Sequence, residues 1–272
     1  MNRNMAVTIR TAISTVALVL GVSAGTLRGQ TNLVANGSFE AGPVGQGQFT
    51  GWGAIGPADN NSNYGVAKSG VAPDVAEHGS YYAYFRGHPT DSSQDCLGTT
   101  VNLKVGGLYD ISYYLGTDGS TLGKGAAMWV VIGASFGIDL AQDAMLTAFL
   151  PNSSNAIPYQ KFSTVYFATN ASPILSFHGI NATNGINATS AILLDNVSVV
   201  LTYPPLSLGF SRPNLLVFSW PFTNSPYRLQ SAGSLTNTHW VTLTNLPTNV
   251  GTNNQVVLPV SANMQFFRLT MP

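Results

Sequence analysis

The chain has 272 residues, of which only 8% are charged, and its eleven Lys and Arg balance its eleven Asp and Glu. An average soluble protein carries about 25% charged residues, so solubility here rests on neutral Asn, Ser, Thr and Gly. No basic patch invites nucleic acid, and a single cysteine, Cys96, excludes an intrachain disulfide. In chain order, Arg3 and Arg10 form a cationic head before an apolar run from Thr11 to Ala24. That pattern is a secretory signal, so residues 1–30 are expected to be a leader and the protein to be secreted or held at the cell surface. Cleavage after Val22-Ser23-Ala24 and cleavage nearer Gln30 fit equally, and an uncleaved anchor is the remaining alternative. Loss of Arg3, Arg10 and Arg28 would leave the mature chain mildly acidic.

From Leu33 to Val200, short runs rich in Val, Ile, Tyr, Phe and Thr alternate with Gly, Asn, Asp and Pro clusters. The best strands are Tyr81 to Phe85, Thr99 to Val105, Tyr109 to Leu115, Ala127 to Ile132, Phe162 to Thr169, Ile174 to Phe177 and Ala191 to Leu201. In Tyr109 to Leu115, Tyr109, Ile111, Tyr113 and Leu115 point one way, and Asp110, Ser112 and Tyr114 the other. The expected class is all-β, an antiparallel sandwich over residues 31–202. Leu140 to Leu150 breaks the pattern, and a short helix or a structured excursion fits it equally. Tyr203-Pro204-Pro205 marks a boundary, because paired prolines cannot continue a central strand. Residues 203–272 then read as a small β-sandwich with strands at Leu215 to Trp220, Tyr227 to Gln230, Trp240 to Leu243, Gln255 to Val260 and Gln265 to Thr270.

Asn32-Leu33-Val34-Ala35-Asn36-Gly37-Ser38-Phe39-Glu40, followed by Gly51-Trp52, resembles the opening strand of galactose-binding-like jelly-roll domains, a family that includes many carbohydrate-binding modules. Ile192-Leu193-Leu194-Asp195-Asn196-Val197-Ser198-Val199 is similar to that family's final strand, and His78 to Ala83 and Thr99 to Leu115 fall between in the expected order. The resemblance implies a jelly-roll sandwich that binds carbohydrate. It also implies a structural calcium ion held by the opening-strand glutamate and closing-strand aspartate, here Glu40 and Asp195. Calcium takes six to eight hard oxygens, so backbone carbonyls would complete such a site, and a strand-end role without metal is the alternative. The segments Tyr227 to Ser231, His239-Trp240 and Gln265 to Leu269 resemble small C-terminal β-sandwich modules of exported bacterial proteins.

Sugar recognition needs aromatic faces with amide or hydroxyl groups beside them, and Trp52, Tyr64, Tyr82, Tyr114 and Trp129 are the candidates. Trp129 sits in an apolar run that equally suits the core, whereas Trp52 follows a Gly-rich loop. No catalytic residue is expected. Gly133-Ala134-Ser135-Phe136-Gly137 matches the serine-hydrolase elbow, with Asp195 and His239 downstream, but the chain lacks the alternating helices of that fold. His78, His88, His178 and His239 lack zinc-site spacing, and the acids include no pair placed for glycoside hydrolysis. A carbohydrate-binding protein is therefore the leading expectation, and a structural or adhesive surface protein the alternative.

Overall fold

The computed structural model describes residues 31–46, 49–55, 64–70, 75–85, 96–118, 127–133, 144–145, 148–149, 156–180, 191–212, 214–221, 226–236, 239–261 and 263–271. Residues 1–30, expected to be a leader, and Ser135 and His88 lie outside the described residues. The chain divides into two compact units, with the division after Tyr203. No described helix is long and apolar enough to cross a membrane.

Among the described residues the first unit holds twelve strands: β1 (Gly45–Gln46), β2 (Gly53–Ile55), β3 (Tyr64–Lys68), β4 (Tyr81–Phe85), β5 (Cys96–Thr100), β6 (Leu108–Thr117), β7 (Ala127–Gly133), β8 (Ala144–Met145), β9 (Ala148–Phe149), β10 (Ile157–Phe167), β11 (Ile174–Ile180) and β12 (Ile192–Thr202). One sheet runs β1-β3-β4-β12-β6-β10; the other runs β2-β5-β11-β7-β8, with β9 also on β7. The pairings are antiparallel. The fold is an all-β sandwich, as its alternating runs require.

Period-two patterning places the core. Tyr109, Ile111, Tyr113 and Leu115 of β6 enter a single cluster with Leu194, Val197 and Val199 of β12, Met128, Val130 and Ile132 of β7, and Leu175 and Phe177 of β11. Their neighbours along each strand therefore face outward. The segment from Leu140 to Leu150 is an excursion rather than a helix where it is described, since β8 and β9 pair with β7.

The opening segment differs from its expectation. It lies along β12, with Leu33 N donating to the Val199 carbonyl (2.9 Å) and Val197 N donating to the Gly37 carbonyl (2.8 Å), but it bends into turns instead of forming a ladder. The bend comes from Asn36 and Phe39, at φ of 53° and 58°. Asn36 suits that region because its side chain bonds locally: Ala41 N donates to its Oδ1 (2.9 Å), and its Nδ2 donates to the Thr50 carbonyl (2.8 Å). A Cβ at Gly37 would collide with the Val197 carbonyl oxygen, so this close approach requires glycine.

The second unit holds β13 (Ser207–Arg212), β14 (Leu215–Pro221), β15 (Arg228–Ala232), β16 (Val241–Thr242), β17 (Thr248–Val250), β18 (Asn253–Pro259) and β19 (Phe266–Thr270). They form a four-stranded sheet, β13-β14-β18-β17, and a three-stranded sheet, β16-β15-β19. Phe218, Trp220, Tyr227, Leu229, Val256 and Leu269 are buried here.

Candidate functional site

The outward face of the six-stranded sheet gathers tyrosines. Because Tyr113 and Leu115 point inward, Tyr114 and Gly116 point out. Tyr114 stands in register with Asp195 of β12 on one side and Lys161 of β10 on the other. The Lys161 ammonium lies 5.9 Å from the Tyr114 ring centroid. Next along, Tyr84 pairs with Leu193, and Leu193 with Gly116. A Cβ on Gly116 would sit 3.4 Å from Cγ of Tyr159, so the glycine forms the floor beneath that ring. Tyr82, Leu193 and Ala191 are buried together, and Ala67, Ala76, Tyr84 and Tyr159 pack on them partly exposed. The result is a face of three partly exposed tyrosines, Tyr84, Tyr114 and Tyr159, over the buried Tyr82, with the buried Asp195 and the Lys161 ammonium at one edge.

The turn at Glu77 to Tyr81 is clamped by two carboxylates. Glu77 N and His78 N donate to Oδ2 of Asp195 (2.8 and 2.9 Å), and Asn196 N donates to its Oδ1 (2.6 Å). Ser80 N and Tyr81 N donate to Oε1 of Glu40 (2.7 and 2.8 Å). Asn196, at φ of 50°, donates from Nδ2 to Oε2 of Glu77 (2.9 Å), within the bulge that breaks the β12 register between Asp195 and Ser198. Asp195 is fully buried, and burial pushes its carboxyl up to about 7 against the opposing pull of its three N–H donors. The Tyr159 hydroxyl is buried without a hydrogen-bond partner among the described residues. Burial, and then the charges of Asp195, Tyr82 and Glu77, hold that phenol well above its usual range, so it stays a neutral donor.

The structure thus brings Tyr82, Tyr114, Glu40 and Asp195 to one region and sends the other candidates elsewhere. Trp52 is core: its ring lies 5.4 Å from Phe39 and 6.0 Å from Phe177, and its Nε1 donates to the Asn36 carbonyl (3.1 Å). Tyr64 is also buried, stacked on Phe49 and Phe85 at 5.5 and 6.2 Å. A Gly-rich loop suggested surface for Trp52, but the pairing of β2 with β5, and of β3 with β1 and β4, goes with both rings turned inward, where no sugar can stack. Trp129 is half-exposed on the other sheet, in register with His178. There His178 Nε2 meets Ser176 Oγ at 2.9 Å and Cys96 Sγ at 3.4 Å, all three buried. Burial lowers the His178 pKa, so a neutral imidazole serves these contacts.

For calcium, no group of three or more His, Cys, Asp or Glu that could hold a metal occurs among the described residues. A cation shared by Glu40 and Asp195 would need backbone carbonyls for the rest of its shell. Five N–H groups already point at these two carboxylates, and Oε2 of Glu40 carries no donor from a described residue. For hydrolase chemistry, Gly133 ends β7, a strand antiparallel to its neighbours, and Asp195 and His239 belong to different units. The strand-to-helix elbow needs a largely parallel sheet.

No protein-family model matches this chain. A search of curated proteins gives no match either. Among solved structures the chain is similar to a family 61 carbohydrate-binding module in complex with β-1,4-galactotriose, at 14% identity and a TM-score of 0.45, over 63% of this chain and 99% of that one. It is similar to a cleaved adhesin domain of Lys-gingipain from Porphyromonas gingivalis, at 14% identity and 0.43, over 61% of this chain and 96% of that one. The N-terminal tandem CBM22 domain of Xyn10C from Paenibacillus barcinonensis is similar at 11% identity and 0.42, over 90% of this chain and 86% of that one. At these values no residue role passes from those proteins to this one.

Proposed function

We infer that the first unit is a non-catalytic carbohydrate-binding sandwich and that its ligand lies on the outward tyrosine face of the six-stranded sheet. The observation that carries this reading is Tyr114, half-exposed between Asp195 and Lys161 in register, beside the Gly116 floor and Tyr159. Aromatic rings stack on the C–H faces of sugars, while phenol and ammonium groups take their hydroxyls. The Tyr159 ring, partly exposed above Gly116, adds a second aromatic surface beside Tyr114. Export to the cell exterior, where polysaccharide is met, is part of the same reading and is supported by Arg3, Arg10 and the Thr11 to Ala24 run.

Calcium belongs to this reading as a stabiliser of the Glu77 to Tyr81 turn through Glu40 and Asp195. Millimolar calcium is expected to raise Tm, because a metal that binds only the folded state stabilises it by mass action. An unchanged Tm after chelation and after calcium addition removes calcium and leaves the carboxylates as N–H acceptors alone.

Affinity electrophoresis through gels containing galactan, xylan or other neutral polysaccharides tests the binding face. Retardation by at least one of them, lost in Tyr114→Ala with the fold intact by circular dichroism, is the expected result. No retardation across the panel, together with self-association of the chain, would favour an adhesive surface protein instead.

A further inference from the structure

The second unit carries charge of one sign only. Residues 204–272 contain no Asp, Glu or Lys, and their charged side chains are Arg212, Arg228 and Arg268. Two of these arginines share a face. In the β15–β19 ladder, Arg228 pairs with Thr270, Leu229 with Leu269 and Gln230 with Arg268. Leu229 and Leu269 are buried, so Arg228, Gln230, Arg268 and Thr270 project from the opposite side. Arg228 and Arg268 are diagonal neighbours there, about 7–8 Å apart at Cβ.

The hydrogen bonds on this face run in one direction. Arg268 Nε donates to Oε1 of Gln230 (2.9 Å), and Gln230 Nε2 donates to Oγ1 of Thr242 (3.0 Å), which leaves the Thr242 hydroxyl proton as the outgoing donor. The Arg268 guanidinium lies 4.3 Å over the half-exposed Trp240 ring, a stack that fixes its plane. Its two Nη groups have no partner among the described residues. Arg228 also lines a hollow of about 290 Å³ with Pro226, Tyr227, Leu246, Pro247 and Asn254. The Arg268 Nη groups and the Thr242 hydroxyl proton are left as donors on this face, the unit has no carboxylate side chain to satisfy them, and a ligand rich in acceptors suits it.

We propose that this face of the second unit binds an acidic polysaccharide through its carboxylates, with Arg268 taking a uronate carboxylate edge-on and Arg228 and the Thr242 hydroxyl taking neighbouring oxygens. The planar guanidinium matches a carboxylate with two parallel N–H donors. Trp240 and the hollow beside Arg228 favour a ring-bearing polymer over an acidic peptide, because they offer an aromatic wall and room for a sugar.

The test is affinity electrophoresis of the full chain in gels containing polygalacturonate, dextran sulfate, polyglutamate or neutral dextran. Retardation in polygalacturonate, absent in neutral dextran and suppressed by salt, is expected. Arg268→Gln should weaken it about tenfold, the scale of a lost charge-assisted pair. Arg228→Gln is the second variant should Arg268→Gln fail to fold. Arg212→Gln, which removes the same charge from the four-stranded sheet, should weaken it far less, and Tyr114→Ala should leave it unchanged. The proposal is overturned by no retardation in polygalacturonate, by equal retardation in polyglutamate, by retardation in dextran sulfate alone, or by equal effects of Arg212→Gln and Arg268→Gln.

Discussion

The two units meet the same problem, a chain with few charges, in opposite ways. All eleven acids precede Pro204, and the most buried of those described, Asp195, is spent internally on three backbone N–H groups. The second unit has no carboxylate side chain and leaves arginine donors on its surface. On the readings proposed above, the first unit's aromatic face takes uncharged sugar, while the second selects by charge. Burial differs in degree: the large sandwich encloses Phe39, Leu97, Ile111, Leu115 and Phe177 at 0% exposure and leaves Val44, Val75, Val105, Val165 and Tyr203 exposed, whereas the small unit, with far fewer residues, leaves Phe210, Leu235, Val241, Leu246, Val250, Val257 and Met264 exposed. A small unit cannot hide all its apolar surface.

The largest expected effect tests that difference in burial. Phe177→Ala, which empties a site touching Trp52 and Tyr113, should destabilise the first unit by about 4 kcal/mol, while Val257→Ala in the second should change stability by less than about 0.5 kcal/mol. Chemical denaturation read by tryptophan fluorescence and circular dichroism measures both. Comparable losses would contradict the contrast.

Two glycines sharpen it next. Gly37→Ala forces Cβ against the Val197 carbonyl and should cost about 3 kcal/mol through displaced backbone. Gly251→Ala, at φ of 59° with nothing within 4 Å, should cost about 1 kcal/mol from conformation alone. A milder effect at Gly37 than at Gly251 would show that the opening segment is not fastened to β12.

A further test is one of pH. Asp195 has a folded pKa of about 7, above its ordinary 3.8, so the proton favours the folded state. Its contribution is fully present below pH 3.8 and is lost as pH rises through about 7. In chelated buffer, hydrogen exchange at β12 should therefore quicken from pH 5 to 8 relative to intrinsic rates, and Asp195→Asn should flatten that slope. Residues 204–272, without Asp or Glu, provide the internal reference. Added calcium should reverse the slope, since a bound cation favours the charged carboxylate.

The sheet-forming runs were legible because period-two alternation survives in single strands. Tyr109 to Leu115 reads directly, and it became the middle of β6. The short strands β1, β2, β8, β9 and β17, of two or three residues each, carry too little pattern to see. Within the candidate site, Tyr82, Tyr114, Glu40 and Asp195 were named in advance, but Tyr84, Tyr159, Lys161 and Glu77 were not. Their shared face depends on β4, β12, β6 and β10 becoming neighbours, an order that crosses most of the domain. The Tyr82 and Tyr84 alternation was the available signal. Trp52 and Tyr64 misled for the complementary reason: local Gly and Asn content describes a turn's flexibility and says nothing of which layer a ring will enter. In the second unit the lack of acids is countable from sequence, yet only the β15–β19 register shows that Arg228 and Arg268 share a face.

The most direct measurement is a residue-resolved NMR titration of the chain with a neutral β-linked oligosaccharide that retards it in gels. Shifts concentrated at Tyr84, Tyr114, Gly116 and Tyr159, with residues 204–272 silent, are the predicted result. Shifts confined to the sheet carrying Trp129 and His178, or to the arginine face of the second unit, would contradict the account.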